Sequence, residues 1–231
     1  MKLLLDGDII AWKVACRNMG RADIPTLRDQ IEAEVERWAR CADQDADIVI
    51  PLSAGKSFRY WIWPEYKANR EKTVPPAMLG DCFDILKTDY YTWMVDGLEG
   101  DDGLGILGTG SEETCIVTID KDLQQIPGWH FNPDKDETPY EIEPHLAAWH
   151  EHIQWLMGDS SDNLPGLPRV GIKTAIKILD GIMDTEEMTD RVLDEYASRD
   201  KSPEYCNQMR DCVHILTRTD YPSYRKLEGV V

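Results

Sequence analysis

The sequence predicts an α/β fold, a mostly parallel sheet flanked by helices, with a C-terminal helical subdomain. Three observations carry that prediction. Between Lys2 and Asp120, short apolar runs alternate with helical periodicity, the pattern of a parallel sheet with crossover helices. After about residue 145 the strand signals stop and helix signals take over. The length, 231 residues, fits one α/β domain with a smaller appendage.

Taken in order, residues 2–5 (KLLL) read as a buried strand that ends in a loop at Asp6-Gly7-Asp8. Leu27, Ile31, Val35 and Trp38 recur every three or four residues after Pro25, which predicts an amphipathic helix over 26–40. Residues 46–52 (ADIVIPL) read as a second buried strand. Val74-Pro75-Pro76 breaks the chain, and Met78, Phe83 and Leu86 then predict a helix. Residues 115–119 (CIVTI) form a third strand, again ending in an acid, Asp120. Residues 128–144 read as a connection with a short hairpin. Helices are expected over 145–157, 173–179, 186–196 and 204–216.

Composition narrows the class. Apolar residues make up 42% of the chain, enough for a core. No run approaches the 18 or so apolar residues of a membrane span, and MKLLLDGD meets acids too early for a signal peptide. Six cysteines, Cys16, Cys41, Cys82, Cys115, Cys206 and Cys212, stand without CxxC pairs. That argues against a zinc ribbon or disulfide scaffold and for a reducing cytoplasm. The 43 acids outnumber 25 bases for a net charge of −18, which by itself speaks against nucleic-acid binding. The placement of the charges speaks for it.

Four acidic motifs stand out: Asp6-Gly7-Asp8, Glu99-Gly100-Asp101-Asp102, Asp120-Lys121-Asp122 and Asp159-Ser160-Ser161-Asp162. Glu99 and Asp102, three apart at a helix start, share a face. Asp120 and Asp122, two apart at a strand end, point the same way. Any one such motif is ordinarily a helix cap or a solvated loop, and Asp8 is read here as a cap of its turn. Should the four converge, about eight carboxylates crowd one cleft. Two unit charges about 4 Å apart repel by roughly 4 kcal/mol at an effective dielectric of about 20. Hard divalent cations with oxygen ligands relieve that repulsion, and paired ions polarise phosphodiesters for attack by water.

Bases concentrate in two places. In residues 55–72, Lys56, Arg59, Lys67, Arg70 and Lys72 interleave with five aromatics, a composition that can contact phosphates and stack on bases. Around PGLPRVGIKTAIKIL, Arg169, Lys173 and Lys177 flank a glycine turn whose backbone N–H groups can face a phosphate. Other patterns fail. Gly103-Leu104-Gly105-Ile106-Leu107-Gly108 matches GxGxxG but follows an acidic helix start, so its glycines read as close-packing residues. Ala54-Gly55-Lys56-Ser57 lacks the first glycine of a P-loop, because Ile50 stands there. His145, His150 and His152 have no cysteine partners for zinc.

Residues 157–175 (MGDSSDNLPGLPRVGIKTA) resemble the signature of the 5′→3′ exonuclease and flap-endonuclease superfamily, where acids run into a helix–three-turn–helix motif. Glu99-Gly100-Asp101-Asp102 is similar to that family's Glu-Ala-Asp-Asp, Thr118-Ile119-Asp120-Lys121-Asp122 to its Asp-x-Asp, and Leu5-Asp6-Gly7 to its amino-terminal Asp-Gly. Pro64-Glu65-Tyr66-Lys67-Ala68-Asn69-Arg70 resembles the segment leading into the family's helical arch. The resemblance implies a PIN-like nuclease core over 1–144, with the arch region at about 60–90. It implies a helical DNA-binding subdomain over 145–231, with the helix–three-turn–helix at about 156–180. It implies an enzyme of DNA replication, a 5′→3′ exodeoxyribonuclease or flap endonuclease acting near a 5′ end of duplex or flapped DNA with two Mg²⁺ or Mn²⁺ ions. The short length suggests the bacteriophage type.

Carried over by position, Asp6, Glu99 and Asp101 serve the catalytic metal, and Asp102, Asp120, Asp122, Asp159 and Asp162 build a second site, partly through water. Lys67 and Arg70 steer the scissile phosphate. Lys56, Arg59 and Lys72 contact DNA, as do Gly166, Arg169, Gly171, Lys173 and Thr174 around the hairpin, in the family often with a bound K⁺. There are departures. Many relatives carry an aspartate in the loop after the second strand, whereas Pro51-Leu52-Ser53-Ala54-Gly55-Lys56 has none, and Thr73 stands where some have an arch lysine. The missing loop acid supports one rival reading, a non-catalytic, structure-selective DNA-binding protein. Nothing in the sequence reads the sugar's 2′ position or names a protein partner.

Overall fold

The computed structural model describes residues 1–18, 20–42, 46–70, 73–110 and 113–222. Its first strand, β1 (Lys2–Leu5), passes directly into helix α1 (Gly7–Asn18), where a loop was expected. Asp6 makes the junction: its carbonyl accepts the Ile10 N–H at 3.2 Å and its Oδ1 accepts the Ile9 N–H at 3.1 Å, so it caps the helix. Gly7 is required there, since a Cβ would lie 2.4 Å from Ile50 Cγ2 and 2.5 Å from Leu52 Cδ2. Helix α2 (Ile24–Ala39) begins under an Asp23 cap and buries Leu27, Ile31, Val35 and Trp38 as its periodicity predicts. Strand β2 (Ile48–Pro51), the short α3 (Arg59–Ile62), α4 (Leu79–Asp89), the two-residue β3 (Thr92–Trp93) and α5 (Gly100–Gly108) follow.

Strand β4 (Thr114–Val117) leads to a parallel β5 (Gly128–Phe131), and β6 (Tyr140–Ile142) closes the expected hairpin antiparallel to it. The six strands run in the order β3-β2-β1-β4-β5-β6, parallel except for the last. Central β1 and β4 are buried on both faces, which explains their uninterrupted apolar runs. Leu3 and Leu5 pack beneath α1, α2 and α4, while Leu4 faces Leu104 of α5 on the other side, the alternation a strand imposes. The chain leaves β1 first toward β2 and later returns to β4 on its other flank. The crevice at the carboxyl ends of β1 and β4 is therefore the topological switch point, where α/β sheets bind ligands.

Helices α6 (Pro144–Met157), α7 (Ile172–Ile178), α8 (Thr185–Ala197) and α9 (Pro203–Val213) enclose a second apolar cluster that includes Trp155, Leu167, Val192 and Met209. Tyr66 belongs to this cluster, and Tyr60, Ile62 and Trp63 pack against it, so the basic-aromatic segment bridges the two halves. Helix α9 stops at Val213 rather than at 216. Ile215 and Leu216 leave it to pack with the residues of α5 and the sheet. Among the described residues no helix is long and apolar enough to cross a membrane.

Candidate active site

At the switch point lies an open cavity of about 700 Å³. Eight carboxylates line it: Asp6, Asp8, Glu99, Asp101, Asp120, Asp122, Asp159 and Asp162. They arrive from four stretches of chain far apart in sequence. Asp6 ends β1, and Asp8 stands in the first turn of α1. Glu99 is the N-cap of α5, and Asp101 lies in its first turn. Asp120 follows β4 and caps a 3₁₀ turn, accepting the Asp122 N–H at 2.9 Å. Asp159 follows α6 and pairs with Leu164 through two backbone hydrogen bonds of 2.9 and 2.7 Å. Thr118 ties two of these acids together. Its hydroxyl donates to Asp6 Oδ2 at 2.8 Å and accepts the Asp120 N–H at 2.9 Å.

The segment Glu65–Arg70 docks on the loop 159–163. The Lys67 N–H donates to the Asp162 carbonyl at 2.9 Å, Asn69 to the Ser160 carbonyl at 2.9 Å, and Asn163 to the Glu65 carbonyl at 2.7 Å. Lys67 and Asn163 both take left-handed backbone conformations, with φ of 54° and 59°. The turn brings Lys67 Nζ onto Glu99 Oε1 and within 3.7 Å of Asp162, while Arg70 pairs with Asp162. The buried Tyr66 hydroxyl lies between Glu99, at 2.8 Å, and Asp162, at 2.9 Å. Lys67 and Arg70 both face the cavity.

The field in the cavity disfavours so many negative charges. Burial, then the Asp8 charge and that of Asp120, push Asp6 up to about 7 despite its hydrogen bonds. Burial and the charges of Asp120 and Asp159 push Asp122 up to about 6. Asp101 is raised well above the carboxylate range by burial and by Asp6, Asp120, Glu99 and Asp8 together. Burial also raises Asp162, against the pull of Lys67 and Arg70. Among the described residues the Asp101 side chain makes no hydrogen bond, and the charges that act on it most strongly are those of other acids. An unpartnered carboxylate among hard oxygen donors fits a divalent cation. The described acids line the walls without three of them converging at ligand spacing. That leaves room for cations that keep part of their water, as Mg²⁺ does.

Two expected members are elsewhere. Asp102 is fully buried on the inner side of α5 and forms a fork with Arg59, at 2.8 Å for each nitrogen–oxygen pair. Arg59 is 3% exposed and also donates to the carbonyls of Cys212, at 2.9 Å, and His214, at 2.6 Å. Arg59 also donates to Glu99 Oε2 at 3.2 Å, so from the interior it braces a cavity acid rather than reaching a phosphate, and Asp102 faces Arg59 rather than a metal. Against burial, the Arg59 charge and its hydrogen bonds hold Asp102 below the usual carboxylate range. The third correction is Asp8, which the sequence reading set aside. It lines the cavity, and recognising it required knowing that a helix begins at Gly7.

Lys56 lies outside the cavity, over the rings of Tyr60 and Trp61. Lys72 lies outside the described residues. Arg169, Gly171, Lys173 and Thr174 are all exposed around the start of α7. Gly166 is buried with φ +56°, and a Cβ would sit 2.3 Å from the Gly158 nitrogen. Its carbonyl accepts the Tyr205 hydroxyl at 2.7 Å.

This sheet order, with an acid-lined cavity at its switch point, defines a class that comparison with known proteins identifies. No family model matches the chain. The 5′-3′ exonuclease of Buchnera aphidicola subsp. Schizaphis graminum is 36% identical over 151 residues, 57% of this chain and 51% of that protein. The thermostable DNA polymerase I of Thermus aquaticus is 33% identical over 203 residues, 77% of this chain and 23% of the polymerase. The chain thus spans about half the length of the first relative and under a quarter of the second. A flap endonuclease of bacteriophage T5, solved as a pseudo-enzyme–product complex with DNA and metal ions, has the same fold. The TM-score is 0.69 at 18% identity, over 98% of this chain and 93% of that one. The fold is PIN-like, and over these stretches the chain is similar to 5′-3′ exonucleases and to DNA polymerase I.

Proposed function

We propose that the chain is a metal-dependent 5′→3′ nuclease that hydrolyses phosphodiesters of duplex or flapped DNA near a 5′ end. One observation carries the reading: carboxylates from four separate stretches of chain line a single cavity at the sheet's switch point, with Lys67 and Arg70 facing into it. Two divalent cations, Mg²⁺ or Mn²⁺, would supply a polarised phosphodiester and an activated water. Asp6, Glu99 and Asp101 would hold one, and Asp120, Asp122, Asp159 and Asp162 the other.

Lys67 and Arg70 are paired with Glu99 and Asp162. With cations neutralising those acids, both side chains are free to hold the non-bridging oxygens of the scissile phosphate. The exposed hairpin of Arg169, Gly171, Lys173 and Thr174 would grip the duplex backbone, with K⁺ as a further ligand, while residues 1–144 supply most of the acids and residues 145–231 add Asp159 and Asp162. Lys56, over the rings of Tyr60 and Trp61, would add a further contact to DNA. The six cysteines are free thiols, in keeping with work in a reducing cytoplasm. The likeness to DNA polymerase I supports a role in replication, and the T5 likeness supports a phage-type enzyme.

The test is a 5′-end-labelled duplex and a flapped substrate incubated with Mg²⁺, with and without chelator. Release of short 5′ products that needs the metal is the expected result. Binding without cleavage under every metal condition would favour a non-catalytic, structure-selective DNA-binding protein.

A further inference from the structure

Asp8 has no role in the reading above. We propose that Asp8 is an additional metal-facing carboxylate of this site, supplied from α1 in place of an acid that the loop after β2 lacks, and that Ser53 positions it. The proposal rests on the metal-nuclease reading and deepens it.

The simplest alternative, that Asp8 caps α1, fails on geometry, because Asp6 accepts the Ile9 N–H and occupies that role. Asp8 turns instead toward the cavity it shares with Asp6, Glu99 and Asp101. Ser53 holds it from the β2 loop. The Ser53 N–H donates to Asp8 Oδ1 at 3.1 Å, and its hydroxyl donates to Oδ2. The same hydroxyl oxygen accepts the Gly100 N–H at 2.9 Å. One serine thereby fixes the first turn of α1 against the first turn of α5, from which Glu99 and Asp101 project. A carboxylate has about four acceptor sites, so the two bonds from Ser53 leave others for the cavity.

Gly100 makes the room. A Cβ at that position would lie 3.0 Å from Asp8 Oδ2 and 3.3 Å from its carboxyl carbon. The resembling family motif has alanine there, and the loop after β2, which holds Ser53, carries no acid. An acid at 8, a hydroxyl at 53 and a bare backbone at 100 therefore fit one another. Together they hold a carboxylate of the helix at the site, where the loop offers none.

Mn²⁺ binding to the whole chain without DNA, followed by calorimetry and by Mn²⁺ electron paramagnetic resonance, tests this. Asp8→Asn is isosteric and should weaken the tightest Mn²⁺ site by about tenfold or more, the scale of losing a group at a metal centre. Ser53→Ala should weaken it by about tenfold, and Gly100→Ala should do the same by displacing the carboxylate. Adding Ser53→Asp to Asp8→Asn should restore most of the affinity. Failure of that rescue would overturn the claim that Asp8 stands in for a loop acid. A wild-type isotherm in Asp8→Asn, with a weakened one in Asp120→Asn, would overturn the role of Asp8 and leave the nuclease reading intact. Absence of Mn²⁺ binding by the unmodified chain would instead overturn the nuclease reading itself.

Discussion

Asp101 and Asp102 are adjacent in sequence and opposite in fate. On a helix, neighbours point about 100° apart, so α5 sends Asp101 into the cavity and Asp102 into the core against Arg59. The Arg59–Asp102 fork is a buried ion pair, and removing one partner of such a pair costs about 3–5 kcal/mol because the other charge is left alone. Arg59→Met should therefore lower the unfolding free energy obtained from urea titration by that amount, and adding Asp102→Leu should recover much of the loss. Asp120 sits at the other extreme, facing the cavity and held in place by Thr118 and its own turn. Asp120→Asn should abolish hydrolysis while gel-shift binding of DNA persists. Full activity in that variant would remove the two-ion mechanism.

At the scale of elements, two glycines of the loop between α6 and α7 separate architecture from surface. Gly166 takes a left-handed backbone, and its α-carbon presses on the end of α6, where Met157 and Gly158 atoms lie within 2.6 Å of any added Cβ. Gly166→Ala should cost at least about 2 kcal/mol, from the left-handed penalty plus overpacking. Gly171, the N-cap of α7, has φ of −104° and open space around it. Gly171→Ala should leave the melting temperature nearly unchanged and alter only DNA affinity. The pair can be read in one thermal-melt and one binding series.

Across the molecule, the tail after α9 couples the helical half back to the α/β half. His214 donates from one ring nitrogen to Glu151 of α6, at 2.8 Å, and from the other to Asp220, at 3.2 Å. Against burial, those two acids raise it from 6.5 to about 9. The folded state therefore binds the proton more tightly than the unfolded one. That stability is complete below about pH 6.5 and is lost as pH rises through about 9. The loss should amount to roughly 1–2 kcal/mol, or about 2–8 °C in Tm, and His214→Gln should flatten it.

The cavity adds a second dependence at lower pH. Asp6 is raised from 3.8 to about 7, so the metal-free protein should lose stability as pH climbs through that window. Mg²⁺ should reverse the trend above pH 7 by binding only the folded state and competing with the protons. A Tm indifferent to Mg²⁺ and Mn²⁺ alike at neutral pH would count against the clustered carboxylates acting as a metal cage.

The elements with a strong local signature were legible in the sequence. The apolar runs at Leu3–Leu5 and Cys115–Val117, the three- and four-residue spacing from Leu27 to Trp38, and the helices from Pro144 onward are set by periodicity and burial, which neighbouring residues determine. The acids at the strand ends, and their meeting at one place, were also legible, because a parallel sheet gathers its strand ends on one side. Helix α1 was obscured because its first turn is Asp-Gly-Asp, a composition shared with loops, and only packing of Gly7 against Ile50 and Leu52 decides for the helix. The fates of Arg59, Asp102 and Asp8 were likewise decided by partners 40 or more residues away: Asp102 for Arg59, and Ser53 for Asp8. A charged side chain's role depends on which counter-charge or cavity it meets, and that meeting exists only after the chain has folded.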